Sequence, residues 1–225
     1  MRNRTIAFLI GTSACVTSAH AADWLQFGYD QAHSGNNAAE SGFATVGSPS
    51  AAQWSVNVHA FGSGTAITSD STPVYLSNVV TPSGTKDLLF LITQNGTLVA
   101  FAASDGSVVW SHKPTPFDSN PSHITTGAAA VDPNLQYVYA YGLDGNVHKY
   151  QVGDGTEITT GGWPELSTLK PNWEKGASGL AIASPPGGNN YLYHATNGYV
   201  GDVGDYQGHV TTVNLTTGLI LVTGR

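Results

Sequence analysis

The side chains that could carry out chemistry are concentrated in three polar stretches, at 112–126, 159–176 and 197–207. Two aspartates can supply oxygen ligands for a cation, a histidine can act as a general base, and a Trp beside a Lys can form the floor of a ligand site. The candidates for such a ligand-binding face are His123, Trp173, Lys175, Asp202, Asp205 and Tyr206. Each type also has a structural interpretation: a solvated carboxylate, a capping or surface histidine, or a Trp packed between structural units.

No pattern in the sequence specifies a reaction. The eight histidines are scattered, without the H-x-H or HExxH spacing of zinc sites, and no G-x-S-x-G nucleophile motif is present. Cys15 is the single cysteine, and it lies in the N-terminal apolar stretch. We therefore assign no catalytic residue and no metal ligand from the sequence.

The elements that must position these loops follow from an internal repeat. Three ungapped segments each contain two glycines ten residues apart, with apolar residues at +2, +5 and +7 from the first. The glycine pairs are Gly96 and Gly106, Gly145 and Gly155, and Gly208 and Gly218. Asn-Gly and Asp-Gly supply the positive φ angles of tight hairpins, so each segment is predicted to be a strand between two turns.

Each segment, strand C, is preceded by a short apolar strand B and followed by a strand D, and a further strand A lies upstream, which gives four antiparallel strands per unit. The B strands are predicted at Leu88–Thr93, Tyr137–Tyr141 and Tyr191–Thr196, and the D strands at Val108–Ser111, Thr156–Ile158 and Leu219–Val222. Four-stranded units repeated at roughly 40–50 residues are typical of β-propeller blades. The sequence therefore predicts an all-β partial propeller of about three blades, at approximately 70–112, 124–160 and 176–223. Residues 52–58 are predicted to be the last strand of another blade.

Strand alternation determines which loops share a face of the propeller. With four alternating strands, the B–C and D–A connections emerge together, and these include the long loops that carry the candidate residues. Long loops on one face of a rigid scaffold are the usual location of binding sites. Trp163 and Glu174 are expected on this face as well.

The composition favours an exported, acidic β protein. Charged residues make up 10% of the chain, against about 25% in typical soluble domains, and the net charge is −7. Arg2 and Arg4, a short apolar run and Ala19-His20-Ala21 are typical of a signal peptide over residues 1–21. Its removal would leave a net charge of −9, which argues against nucleic acid as a partner. Retention and lipidation of Cys15 is a minor alternative, and no segment is long and apolar enough to be a transmembrane helix.

The repeats resemble those of the pyrroloquinoline-quinone-like (PQQ-like) β-propellers. The best match runs from Leu91 to Trp110, and the opening Asp23–Asp30, DWLQFGYD, is also similar to that family. The resemblance covers residues 23–223 and implies blades docked by a Trp at the end of strand D. Thr159 and Val222 stand where the first unit has Trp110, so this docking Trp is expected to be absent from the later units.

The resemblance leaves the function open. Enzymes of that family oxidise alcohols or sugars with PQQ held beside calcium. Many of the alcohol-oxidising members carry a pair of adjacent cysteines over the cofactor. The predicted mature chain has no cysteine. Three hypotheses follow: an exported, non-catalytic module that binds a protein or polymer of the cell envelope; the N-terminal fragment of a PQQ-dependent alcohol or sugar dehydrogenase; and a structural repeat domain without a small ligand. A fragment, or a short chain that closes its ring by self-association, would explain three blades where family members have seven or eight.

Overall fold

The computed structural model describes residues 22–38, 52–61, 69–113, 122–199 and 204–224. Its regular elements are β-strands, apart from one 3-10 turn at Val58–Phe61. The strands are β1 Val74–Thr81, β2 Gly84–Ile92, β3 Leu98–Ala102, β4 Val108–His112, β5 Ala130–Val131, β6 Tyr137–Tyr141, β7 Asn146–Gln151, β8 Glu165–Leu166, β9 Glu174–Gly176, β10 Ala181–Ala183, β11 Tyr191–Gly198, β12 His209–Asn214 and β13 Leu219–Gly224.

Three antiparallel sheets, which we call blades one to three, follow one another along the chain. Their strand orders are β1-β2-β3-β4, β5-β6-β7-β8 and β10-β11-β12-β13, and β9 extends the third sheet by pairing with β11. All six repeat glycines have positive φ, between 68° and 92°. The predicted all-β, four-stranded antiparallel fold is therefore confirmed, and the repeat glycines occupy turns that L-residues adopt only with strain.

The blades pack face to face through two apolar layers. Alternate residues of blade one, among them Leu88, Phe90 and Leu98, form one core with the near face of blade two. The opposite face of blade two, with Tyr139 and Val147, forms a second core with blade three. Each blade is thus buried on the side that meets its neighbour, as the two-residue alternation of strands requires.

Tryptophans dock onto the glycine turns of blades one and two. Trp110, in β4, lies across Gly155 of blade two, and its indole N–H donates to the carbonyl oxygen of Val152 at 3.0 Å. Trp54 lies in the same way across Gly106 of blade one, and its N–H donates to the corresponding carbonyl at 3.0 Å. A side chain at either glycine would overlap the indole ring, so glycine is required here for space as well as for its φ angle.

The turn of blade three is packed differently. Gly218 lies against the carbonyl oxygen of Gly161 and the carboxylate of Glu165, where the other blades receive an indole. The fourth strand of blade two was predicted near Thr156–Ile158. That prediction is wrong in part, because Glu157 makes only an isolated bridge to Tyr150 and the paired strand is β8.

The N-terminal segment ties the first strands of the three blades together. Trp24 exchanges two backbone hydrogen bonds with Tyr75 of blade one, at 2.8 and 2.9 Å. Leu25 accepts from the amide of Val131 in blade two, and the buried side chain of Gln26 accepts from the amide of Ile182 in blade three at 2.7 Å. Three consecutive residues therefore contact all three blades, and the most distant partner, Ile182, is 156 positions from Gln26.

Within the described ranges, no helix has the length and apolar character needed to cross a membrane.

Candidate functional site on the loop face

The best-organised polar surface is built from the loops that precede blades two and three and from the long B–C connection of blade three. We call it the loop face, and define it by His123, 168–175, Tyr199 and 204–209. These segments carry five of the six candidates that the sequence analysis selected. The sixth, Asp202, lies outside the described residues.

Glu174 is the centre of this surface, although no motif in the sequence predicts a role for it. It is fully buried, and its Oε2 accepts from Thr168 Oγ1 at 2.6 Å, Thr196 Oγ1 at 3.0 Å and His209 Nδ1 at 2.8 Å. Its Oε1 accepts from the backbone amides of residues 207 and 208 at 2.9 and 3.2 Å. Burial opposes ionisation, but these donors outweigh it and lower the pKa of Glu174 to about 2. An ionised carboxylate thus fixes the 207–209 segment against β9 and β11.

Trp173 is the exposed aromatic side chain of this surface. It precedes β9, its amide donates to the carbonyl oxygen of Lys170 at 2.8 Å, and 45% of its surface is exposed. Its six-membered ring lies directly on Gly204, whose φ is 103°. Any side chain at position 204 would displace the indole, so the loop holds the ring in place while leaving much of it open to solvent.

Three other aromatic rings border this surface. His123 and Tyr199 stack with their ring centroids 4.6 Å apart and their planes at 10°. The Tyr199 hydroxyl donates to the carbonyl oxygen of Pro171 at 2.8 Å. The ring of Tyr206 packs against Gly198 at the end of β11. These contacts bring His123 and Tyr206, which are 83 positions apart in the sequence, onto one surface.

The predicted charged candidates have different environments. Asp205 is an exposed carboxylate whose Oδ2 lies 3.1 Å from Lys170 Nζ, and the same Nζ donates to the Asp205 carbonyl oxygen at 3.0 Å. Lys175 lies in β9 opposite Asn197 of β11. In the described part of the chain, no group of three or more His, Cys, Asp or Glu side chains could hold a metal ion. The Asp205 side chain is thus paired with Lys170.

Trp163 does not belong to the loop face, which corrects the expectation from its position in the sequence. It is buried between blades two and three, with its ring centroid 5.1 Å from that of Tyr139. The Lys149 ammonium lies 5.4 Å from the indole centroid and 4.0 Å from the Tyr137 ring. Trp163 therefore packs between blades two and three, within the long connection at 159–176.

A second polar cluster lies between blades one and two, and sequence reasoning did not find it. His148, which is buried, contacts Glu157 Oε1 through Nδ1 at 2.6 Å and Asp144 Oδ1 through Nε2 at 3.1 Å. The other oxygen of Glu157 lies 3.0 Å from His112 Nε2 in β4. Burial lowers the pKa of His148, but the two carboxylates outweigh it and raise it to about 9. This arrangement holds an imidazolium between two carboxylates and connects blade one to blade two.

Comparison with known proteins assigns no family to the chain. No family model and no curated protein matches the chain. Similar solved structures include BamB from Moraxella catarrhalis, at 19% identity and a TM-score of 0.43, over 60% of this chain and 37% of that one. The computationally designed Ika4 protein is 15% identical with a TM-score of 0.45, and the match covers 78% of this chain and 80% of that one. Quinohemoprotein alcohol dehydrogenase from Comamonas testosteroni is 14% identical with a TM-score of 0.44, and the match covers 90% of this chain and 41% of that one.

The chain therefore spans well under half the length of the BamB and dehydrogenase chains. The fold assignment rests on the molecule itself: three consecutive four-stranded antiparallel sheets, two of them docked by the same Trp-on-Gly contact. On this evidence the chain is a partial β-propeller.

Proposed function

We propose that this chain is an exported, non-catalytic binding module whose loop face recruits a protein or polymer partner of the cell envelope. The observation that carries the proposal is a rigidly held but exposed Trp173 on a surface fixed by the buried Glu174 carboxylate. Tryptophan is among the residues most enriched at the energetic centres of interfaces. A surface already ordered before binding loses less conformational entropy when a partner binds.

The proposal is tested by partner capture with matched variants. Purified chain carrying a photo-crosslinking residue at position 199 is incubated with a solubilised cell-envelope fraction, and the crosslinked component is identified and then purified for affinity measurement. We expect Trp173→Ala to weaken binding of that component at least tenfold. Val80→Ala, which truncates another exposed apolar side chain outside the loop face, is expected to bind as the wild type does. Equal affinity of the two variants would reject the loop face as the binding surface.

A parallel activity assay separates this proposal from the dehydrogenase hypothesis. The chain is mixed with PQQ, calcium and a redox dye, and alcohols and sugars are added in turn. We expect no dye reduction above the rate without protein. Substrate-dependent reduction that requires PQQ would overturn the non-catalytic assignment.

We also propose that the outer face of blade three mediates self-association. Val210, Leu219 and Leu221 are 52%, 61% and 52% exposed on this face. The residue that corresponds to Val210 in blade two is Val147, which is completely buried by the neighbouring blade. An apolar sheet face of this kind favours association with another surface.

A further inference from the structure

A cavity of about 330 Å³ lies where the first strands of the three blades meet the N-terminal segment. Its lining includes side chains from the N-terminal segment and from the segments that precede these three strands. They are Phe27 and His33 from the N-terminal segment, Asp70 and Thr72 before β1, Thr126 before β5, and Ser178 between β9 and β10. A volume of this size is at the lower end of the range for small-molecule sites. The cavity is separate from the residues that define the loop face.

Asp70 is the acidic residue of the lining. Its exposed side chain contributes a carboxylate, His33 contributes an imidazole, and neither Lys nor Arg is among the residues that line the cavity. Asp70 Oδ2 accepts from Gln94 Nε2 at 2.7 Å, which fixes the carboxylate and leaves Oδ1 with no hydrogen bond from the described residues. The whole chain also carries a net charge of −7. A cation is therefore the charge type that this cavity favours.

An aromatic ring and hydroxyl groups complete the lining. Phe27 is 46% exposed. A Cβ added at Gly179 would lie 2.9 Å from the Phe27 Cβ, so the phenylalanine occupies its position because residue 179 has no side chain. The face of an aromatic ring attracts an ammonium group. Thr72, Thr126 and Ser178 supply hydroxyl oxygens, which can accept hydrogen bonds from a ligand N–H or O–H.

The loop that presents Phe27 and His33 has a strained backbone. Tyr29 and His33 have φ angles of 77° and 53°, which non-glycine residues rarely adopt. The Asp30 carboxylate holds this conformation by accepting from the amides of Ala32 and Ser34, both at 3.0 Å, and from the Ser34 hydroxyl at 2.6 Å. Strain that is fixed in this way concentrates at ligand sites, where it positions the contacting groups before binding.

We propose that this cavity binds a small organic ammonium ion, with the cation between the Phe27 ring and the Asp70 carboxylate. The cofactor implied by the family resemblance does not fit the same lining. PQQ carries three carboxylates, and the cavity offers them an aspartate and no Lys or Arg. Placing like charges close together is unfavourable, so the cavity selects against that quinone as well as for a cation.

The test uses choline and its uncharged isostere 3,3-dimethylbutan-1-ol, titrated by saturation-transfer NMR into the full chain. We expect choline to bind, the isostere to bind at least tenfold more weakly, and choline affinity to fall as sodium chloride is raised from 10 to about 150 mM, as screening requires. Asp70→Asn and Phe27→Leu are each expected to weaken choline binding at least fivefold. Asp154→Asn, which removes an exposed carboxylate from a distant turn, is the matched control and is expected to bind as the wild type does.

Three results would overturn the proposal: equal binding of choline and its isostere, no choline binding up to 50 mM, or unchanged binding in Asp70→Asn. Thermal unfolding of each variant shows whether the chain is folded, and Asp70→Asn preserves the shape of the side chain if Phe27→Leu does not fold. Trp173→Ala is expected to leave choline binding unchanged. Failure of choline binding at the cavity can therefore be distinguished from failure of partner binding at the loop face.

Discussion

Two buried histidines, His148 and His194, have opposite ionisation preferences because their polar partners differ. His148 lies between two carboxylates, which hold its pKa at about 9 despite burial. His194 Nδ1 lies 2.6 Å from the Ser167 hydroxyl, and no described atom contacts its buried Nε2 as a hydrogen-bond partner. Burial lowers the pKa of His194 to about 3. The first histidine therefore favours the charged state and the second the neutral state.

His194 is expected to make the fold acid-sensitive. The unfolded histidine binds a proton near pH 6.5, whereas the folded one resists protonation down to about pH 3. Its contribution to stability is therefore present above pH 6.5 and is lost progressively as the pH falls below that value. We expect His194→Phe, which keeps a ring against Tyr141, to reduce the loss of unfolding free energy between pH 6.5 and 4.5. Urea denaturation at several pH values measures this, and parallel curves for the two proteins would contradict it.

The polar residues were the least predictable from the sequence. The long loops that hold His123, Trp173 and Tyr206 predict that these side chains share one face, and their segments lie together through the His123–Tyr199 stack and the Gly204–Trp173 contact. Glu174 had no signal beyond its position between two candidates, because its five donors come from three separate segments. Strand alternation predicts that a side chain faces inward, but it does not predict which polar partner meets it there.

At the scale of the elements, the Trp-on-Gly contact sets how neighbouring blades pack. Gly155 has a φ of 71°, and a Cβ added there would lie 2.5 Å from the Trp110 ring. Gly187 has a similar φ of 67° with no atom within 4 Å of an added Cβ. Gly187→Ala therefore measures the cost of backbone strain alone, about 1–2 kcal/mol. Gly155→Ala is expected to cost about 1–3 kcal/mol more, since overpacking is added to strain.

Chemical denaturation of the two glycine variants measures this difference in unfolding free energy. Trp110→Ala provides a second comparison, with an expected loss of about 3–5 kcal/mol for removal of a buried indole. Equal destabilisation by Gly155→Ala and Gly187→Ala would show that the docked indole does not constrain the turn.

The His148 cluster is a second contact between elements, joining β7 to β4 through Glu157 and His112. Removal of the imidazolium in His148→Gln leaves two carboxylates without their cation, which we expect to cost about 3–5 kcal/mol. Because the folded pKa of His148 is about 9 and the unfolded value about 6.5, this stabilisation is fully present below pH 6.5. It is lost as the pH rises through 9.

Thermal unfolding of wild type and His148→Gln from pH 5.5 to 10 checks this prediction. The difference in Tm should be largest near pH 6 and should shrink through pH 9. His112→Gln, which changes the half-buried end of the cluster, is the matched control and is expected to have a smaller effect. A difference that does not change with pH would mean that His148 acts by packing rather than by charge.

Regular elements were predictable where turn chemistry and alternation agree. Tyr137–Tyr141 has the predicted bounds, and the glycine turns have the predicted positive φ angles. Regular spacing predicts the fourth strand of blade two directly after Gly155, but the chain departs from that spacing. There, Gly161 and Gly162 both have positive φ and Pro164 has no amide donor, so pairing resumes only at β8.

At the scale of the whole molecule, equivalent residues of the repeat show which blade faces are covered by a neighbouring blade. Phe90, Tyr139 and Tyr193 occupy equivalent positions in the three blades, each opposite the residue four places after the first repeat glycine. The first two are at most 1% exposed, whereas Tyr193 is 38% exposed. The same apolar pattern that packs blades one and two against their neighbours is therefore open to solvent on blade three.

If this face mediates self-association, adding charge to it should weaken the contact. Val210→Asp and Leu221→Asp each place a carboxylate on the open face, and a second copy could approach only by desolvating it. We expect wild-type protein to sediment as a concentration-dependent oligomer at micromolar concentrations, and each variant to require at least tenfold higher concentration for the same degree of association. Val80→Asp adds the same charge at an exposed position on blade one, and is expected to associate as the wild type does. A wild type that stays monomeric, or equal effects of all three substitutions, would reject the outer face of blade three as the contact.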